Sequence, residues 1–315
     1  MISTMKRNFR TYVSPLLEFR PRSVLKLALS IWMVLIGLHL QSQEVIDLWT
    51  DMETPYFKDN DLQEYEEELW GTKCLLDVTA PTLTIYPAQG INSGKAVLII
   101  PGGGYGMVAI HHEGHDVAKA LSERGITAAV LKYRIPNPES SDSTHLVPLT
   151  DARRALTLLR DRRRFLEFNN DQVGVMGFSA GSHLATVLGL WKSEKQNENP
   201  NFSALIYGVT DLSDKNLAWL ERALYHRKMT AQEKKQNTLL DQVDDATPPA
   251  FLVHAYDDDV CSVEESTGYA KKLRENRISV ETHLFSTGGH GFGMGRAEDG
   301  TNQWVPLFIN WVKRL

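Results

Sequence analysis

Cysteine is nearly absent from this chain of 315 residues: Cys74 and Cys261 are the only two. So sparse a set excludes a disulfide-rich scaffold and a cysteine-rich zinc site. Two isolated buried thiols are the expectation. No apolar run reaches the roughly 20 residues that a spanning helix needs. Positive charge is not in excess either, the formal net charge being −5. Lys6, Arg7, Arg10, Arg20, Arg22 and Lys26 crowd into residues 1–42 against Glu18 alone, so the remainder is more acidic than the whole. That balance speaks against nucleic acid and anionic membrane surfaces as partners. Internal repeats are lacking, as are an H-E-x-x-H pattern and a phosphate-binding Gly-Lys-Ser/Thr. His111, His112 and His115 are therefore read as structural or pocket-rim residues. Neither a metal nor a cofactor is expected.

With 42% hydrophobic and 23% charged residues, the chain can bury a core without staples. The basic N-terminal region leads into the apolar run 27–40, LALSIWMVLIGLHL. That order fits a secretory signal peptide cleaved near Ser42 or Gln43, with an uncleaved N-terminal anchor as the alternative. The expected organisation is a signal peptide (or anchor) over 1–42 and a single catalytic domain over 43–315. The location implied is secreted or periplasmic, with no membrane contact after the signal is removed.

Residues 43–95 read as acidic and irregular, with 63–68 as a turn or a short helix face. A strand is expected at 83–86. From residue 96 short apolar runs alternate with amphipathic stretches, which is the pattern of βαβ units. Strands are expected at 96–100, 127–131, 173–176, 204–207, 251–254 and 280–285. Helices are expected at 115–124, 149–164, 180–191, 264–276 and 305–315. The stretch 191–245 is polar and irregular around its one strand, a modest cap or long connections. The fold class that follows is α/β, with a mostly parallel central sheet and helices on both faces.

Four pieces carry the chemistry. Gly177-Phe178-Ser179-Ala180-Gly181 is a G-x-S-x-G between an apolar strand and a helix start, the setting of a nucleophile elbow. Such a turn lifts the Ser179 hydroxyl above the sheet and sets the Ala180 N–H at a helix N-terminus, where it can stabilise an oxyanion. Pro101-Gly102-Gly103-Gly104-Tyr105 follows a strand, and a glycine run there frees backbone N–H groups of Gly103 or Gly104 for the same oxyanion. Tyr105, closing that run, is the candidate substrate contact. An acid is needed after a late strand, and Asp257, Asp258 and Asp259 all stand there. His290, between glycines in Gly288-Gly289-His290-Gly291, is the candidate base. The order serine, acid, histidine is that of α/β-hydrolases. His254 and His283 lie inside expected strands and are weaker candidates.

From about residue 80 onward the chain resembles bacterial α/β-hydrolase esterases, in particular secreted acetyl xylan esterase-like and feruloyl esterase-like proteins. The matching segments are PGGGYGMVAIHHEG (101–114), DARRALTLLR (151–160), GFSAGSHLA (177–185), PPAFLVHAYDDDV (248–260) and GGHGFG (288–293). The resemblance implies an α/β-hydrolase fold and a Ser179–His290–Asp258 triad, since the family's His-(small)-x-x-Asp segment aligns on 254–258. It also implies that Glu113 and an Asp151/Arg154 pair are structural supports. The implied substrate is a short acyl ester on carbohydrate such as xylan. A serine peptidase of the prolyl-oligopeptidase kind and a non-catalytic binding protein on the same fold are the alternatives.

Overall fold

The structure, a computed structural model, describes residues 43–315. The expected signal peptide at 1–42 lies outside the described residues. Eight strands form one sheet in the order β1-β4-β6-β5-β7-β8-β9-β10. They are β1 (Glu44–Asp47), β4 (Thr82–Tyr86), β5 (Ala96–Ile100), β6 (Thr127–Lys132), β7 (Val173–Phe178), β8 (Ser203–Ile206), β9 (Ala250–Ala255) and β10 (Val280–Phe285). The β1–β4 and β4–β6 pairs are antiparallel; every pairing from β6 to β10 is parallel. This is the mostly parallel sheet of the α/β-hydrolase class.

Continuous apolar runs made β5, β7 and β9 readable as strands, and each is buried along its whole length. Helices cover both faces of such strands, so no side can be polar. Each fully buried large aliphatic side chain contributes roughly 1.5–3 kcal/mol. The principal helices are α1 (Asp116–Ser122), α2 (Val147–Asp161), α3 (Ala180–Leu190), α4 (Asp214–Ala223), α5 (Ala231–Asn237), α6 (Glu264–Glu275) and α7 (Trp304–Val312). In α2 the expected stripe Leu149, Ala152, Leu156 and Leu159 is buried. No described helix is long and apolar enough to cross a membrane.

Residues 43–95, expected to be irregular before the strand at 83–86, and the stretch 191–245 are both more regular than expected, and β1 already lies in the first of them. The acidic run at 63–68 falls mostly in a strand, β2 (Tyr65–Leu69), which pairs antiparallel with β3 (Thr72–Leu76) in a separate hairpin. Its YEEEL sequence has no apolar alternation, because almost the whole strand is exposed. The stretch 191–245 contains α4 and α5 beside its strand. Ser213 caps α4, and Thr230 with Glu233 forms a capping box on α5, so the start signals were present.

Helix α3 carries one buried titratable group besides its role at the site. His183 donates or accepts through Nδ1 with the Tyr105 hydroxyl at 2.8 Å, and its Nε2 is buried with no partner among the described residues. Burial pulls its pKa down to about 4. The unfolded chain then takes up a proton near pH 6.5 that the folded chain refuses until about pH 4. Folding stability is therefore full above pH 6.5 and falls by on the order of 3 kcal/mol as pH drops toward 4. Urea midpoints measured across that window should show the slope, and His183→Gln should flatten it. A wild-type midpoint constant from pH 7 to 4.5 would contradict this account.

Candidate active site

Ser179 sits between β7 and α3 with φ 50° and ψ −119°, a strained conformation for a residue with a side chain. Its N–H donates to Ile206 O at 3.0 Å, which ties the turn to β8. The flanking glycines are required by close backbone approach. A Cβ on Gly177 would stand 2.2 Å from Gly181 O, and one on Gly181 would stand 2.1 Å from Ile100 O. Strand, turn and helix thus pack against each other, and the partly exposed serine stands at the carboxyl end of a central strand.

Ser179 Oγ lies 2.8 Å from His290 Nε2, and His290 Nδ1 lies 2.8 Å from Asp258 Oδ2. Asp258 can only accept there, so Nδ1 carries the hydrogen and Nε2 accepts from the serine. Among the three consecutive aspartates, Asp258 is the one that meets His290. Asp257 instead accepts the Gly289 N–H at 2.7 Å and steadies the histidine loop. Asp258 Oδ1 accepts the N–H groups of Val260 (2.9 Å) and Cys261 (2.8 Å). Burial alone would raise its pKa, but hydrogen bonds from His254 and His290 outweigh burial and hold it well below the usual carboxylate range. His254, weighed as a base candidate and used to align the acid, instead supports that acid. It is fully buried in β9, with Nε2 on Cys261 O at 2.9 Å and 3.2 Å from Asp258 Oδ2, and Nδ1 2.8 Å from Ser266 Oγ. Its four-residue spacing from Asp258 is the one that singled out the acid.

The glycine run after β5 lies beside Ser179. The Gly102 N–H is occupied, donating to Glu113 Oε2 at 2.7 Å. Those of Gly103, Gly104 and Ala180 have no hydrogen-bond partner among the described residues. Gly103 and Gly104 are partly exposed, and Ala180 opens α3, where the helix dipole favours negative charge. Tyr105 does not meet the expectation of a substrate contact. It is 1% exposed, stacked on Trp219 of α4 at 5.5 Å and bonded to His183. An aromatic ring beside a mobile-looking glycine run was recruited to the core, and the inserted α4 is what covers it. Trp219 Nε1 also donates to Gly104 O at 3.2 Å, so α4 holds the loop from above.

Glu113, expected to be a structural support, is buried at the centre of a network that ties the two halves of the site. Besides Gly102 N–H it accepts the Tyr207 hydroxyl at 2.8 Å, and that hydroxyl accepts the Gly293 N–H at 2.9 Å. Burial first, and the Glu113 carboxylate second, push the Tyr207 phenol far up, so it stays a donor. Its ring packs edge-on against His290 at 5.0 Å. One tyrosine thereby joins the glycine loop to the histidine loop. Tyr207→Phe should lower kcat about tenfold, the equivalent of 1.4 kcal/mol in the barrier, with KM nearly unchanged. Ester turnover by the variant checks this, and a loss confined to thermal stability would contradict it.

The other expected support is corrected. Asp151 pairs with Arg134 at 2.7 Å and accepts Trp49 Nε1, whereas Arg154 pairs with Asp51. The resemblance paired Asp151 with Arg154, but Arg134, just past the end of β6, is the arginine that reaches the buried carboxylate. The three clustered histidines go to separate partners: His111 to Glu66, His112 to Thr72 and His115 to Tyr86. Cys74 and Cys261 are free and buried.

The BD-FAE family model matches residues 83–273. The chain is 29% identical over 231 residues to an acetylxylan esterase of Xylanibacter ruminicola, covering 71% of this chain and 46% of that protein. It is 29% identical over 276 residues to endo-1,4-beta-xylanase B of Butyrivibrio fibrisolvens, covering 82% of this chain and 43% of that protein. The chain thus spans less than half the length of these curated relatives. Among solved structures it is similar to an acetyl ester-xyloside bifunctional hydrolase from Caldicellulosiruptor lactoaceticus. That likeness has a TM-score of 0.72 at 28% identity, over 86% of this chain and 96% of that one.

Proposed function

The chain belongs to the BD-FAE family, and from that premise we propose that it is a serine esterase removing short acyl groups, acetyl first among them, from plant polysaccharide such as xylan. The observation that carries the reading is the unbroken relay from Ser179 Oγ through His290 to Asp258, 2.8 Å at each step, beside N–H groups of Gly103, Gly104 and Ala180 that have no partner among the described residues. The likeness to proteins named acetylxylan esterase and acetyl ester-xyloside hydrolase supports the substrate class.

The proposed reaction has two steps. Ser179 Oγ attacks the acyl carbon while His290 Nε2 takes its proton. Asp258 holds the imidazole tautomer and stabilises the imidazolium. The N–H groups of Ala180 and of Gly103 or Gly104 stabilise the oxyanion. The carbon–oxygen bond to the sugar then breaks, and His290 returns the proton to the departing sugar oxygen. Water, deprotonated by the same histidine, attacks the acyl carbon; the bond from that carbon to Ser179 Oγ breaks, His290 returns the proton to Oγ, and the carboxylic acid leaves. The residues named supply the whole sequence without a cofactor. Export by the 1–42 segment would bring the enzyme to its polymer.

The test is acetate release from acetylated xylan by the full chain, compared with release of ferulate from feruloylated arabinoxylan and with cleavage of a proline-containing peptide. Acetate release as the fastest of the three is expected. Faster peptide cleavage would replace this reading with the peptidase one.

A further inference from the structure

The chemistry above leaves the β2–β3 hairpin without a role. Leu69 pairs with Thr72, so the connecting loop is Trp70-Gly71 alone. Both residues have positive φ, 55° and 75°, which marks a type I′ turn. Asn-Gly or Asp-Gly suits that turn, whereas a bulky side chain in the left-handed region is strained. Nor does packing compensate, because Trp70 is 79% exposed. A large indole therefore stands in solvent at a position where local structure disfavours it. Strain of this kind, observed first, points to function.

The hairpin is fastened next to the site. Leu75 and Val108 exchange both backbone hydrogen bonds, at 2.9 and 2.8 Å, which joins β3 to the segment following the glycine run. Near the tip, Thr72 Oγ1 meets His112 Nδ1 at 3.0 Å. His112 in turn lies against Gly293, where an added Cβ would come within 2.8 Å of its Cδ2. Gly293 is in the loop that carries His290. The tip thus stands on the rim between the two loops that flank Ser179.

We propose that Trp70 is a sugar-stacking platform, an accessory subsite that holds one pyranose of a polysaccharide main chain while an acyl group on another unit reaches Ser179. The proposal rests on the carbohydrate-ester reading. A pyranose has a flat face of C–H groups bounded by hydroxyls, and it matches one isolated ring set among polar side chains. Trp70 is such a ring: Glu66, Glu67, Glu68 and Lys73 around it are exposed and hydrophilic. A protein partner would need a contiguous apolar surface several times larger than one indole. Aromatic side chains supply such contact at low cost in conformational entropy, having two side-chain torsions to fix.

The test uses the full chain and the variants Trp70→Asn and Trp70→Phe. Asn-Gly is the preferred pair for this turn, so Trp70→Asn keeps the hairpin. Two substrates are compared: 4-nitrophenyl acetate, which has no sugar unit for Trp70 to hold, and an acetylated xylohexaose. For Trp70→Asn, KM on the hexaose should rise about tenfold with kcat unchanged, since 1.4 kcal/mol of lost binding is tenfold. Trp70→Phe should fall between it and the wild type. Turnover of 4-nitrophenyl acetate should stay within about twofold for both, since Trp70 is no part of the Ser179–His290–Asp258 relay. An unchanged KM on the hexaose overturns the platform. So does an equal loss on both substrates, which would make the hairpin a mere brace. A wild type that cleaves 4-nitrophenyl acetate but not the hexaose refutes the carbohydrate reading itself, and the platform falls with it.

Discussion

Ser179→Ala should lose roughly 10⁴-fold or more in kcat on 4-nitrophenyl acetate, because no nucleophile remains to form the acyl-enzyme. The residual rate should come from the N–H groups of Gly103, Gly104 and Ala180 and from substrate binding. Those features survive the change, since the substitution removes one oxygen and leaves the turn's backbone in place. The hydroxyl makes one side-chain hydrogen bond, to His290, and the site is partly exposed. The thermal midpoint should therefore move by only a few degrees, as expected for a change worth about 1 kcal/mol. A fluorophosphonate should label the wild type and spare the variant. Residual activity above about a tenth of wild type, a loss of under 1.4 kcal/mol in the barrier, would sink the covalent mechanism. Loss of activity together with unfolding would leave the nucleophile's role to be read from the labelling.

The parts of this site that could be read in the sequence are those built locally. The elbow needs glycine on both sides of Ser179 within five residues, and a buried apolar strand leads into it, so both signals are contiguous. The central parallel strands β5, β7 and β9 announce themselves because burial on both faces leaves no polar alternation. What escaped is held together over long separations. Glu113 and Tyr207 are 94 residues apart, and Tyr207 and Gly293 are 86 apart, yet one hydroxyl joins them. Nothing in the spacing of either residue reports the other. Tyr105 was misread for a related reason: the Trp219 that covers it lies far along the chain, on a helix that polar composition concealed. Asp151 was assigned a helical neighbour when a strand-end arginine was closer. In contrast, the capping box at Thr230 and Glu233 was a local signal, open to a closer reading, and the four-residue spacing of His254 and Asp258 was a local signal that did single out the acid.

Asp258→Asn should be the most damaging of the three neighbouring aspartate-to-asparagine changes, lowering kcat by about 10³–10⁴-fold. The reason is the number of donors that converge on this carboxylate. Oδ1 faces two backbone N–H groups, which an amide oxygen can still satisfy. The amide nitrogen must then take the place of Oδ2, where His290 Nδ1–H and His254 Nε2 point at it from 2.8 and 3.2 Å. Donor meets donor, and His290 escapes the clash by moving its hydrogen to Nε2. In that tautomer it cannot accept the proton of Ser179, so the loss falls on kcat. Stability should fall as well, with a definite dependence on pH. The folded Asp258 pKa is depressed, so its ionised form contributes stability that is complete above the unfolded carboxylate pKa of about 3.9 and is lost as pH falls below it. The midpoint gap between wild type and Asp258→Asn should thus be constant from pH 5 to 8, where the unfolded carboxylate is also ionised, and should narrow in acid. Asp257→Asn, whose amide oxygen can still accept the Gly289 N–H, should cost far less. If Asp257→Asn or Asp259→Asn proved the more damaging in kcat, the acid of this relay would have to be reassigned. A stability gap that widened in acid would show that the Asp258 carboxylate is a burden the fold tolerates, and that catalysis alone retains it.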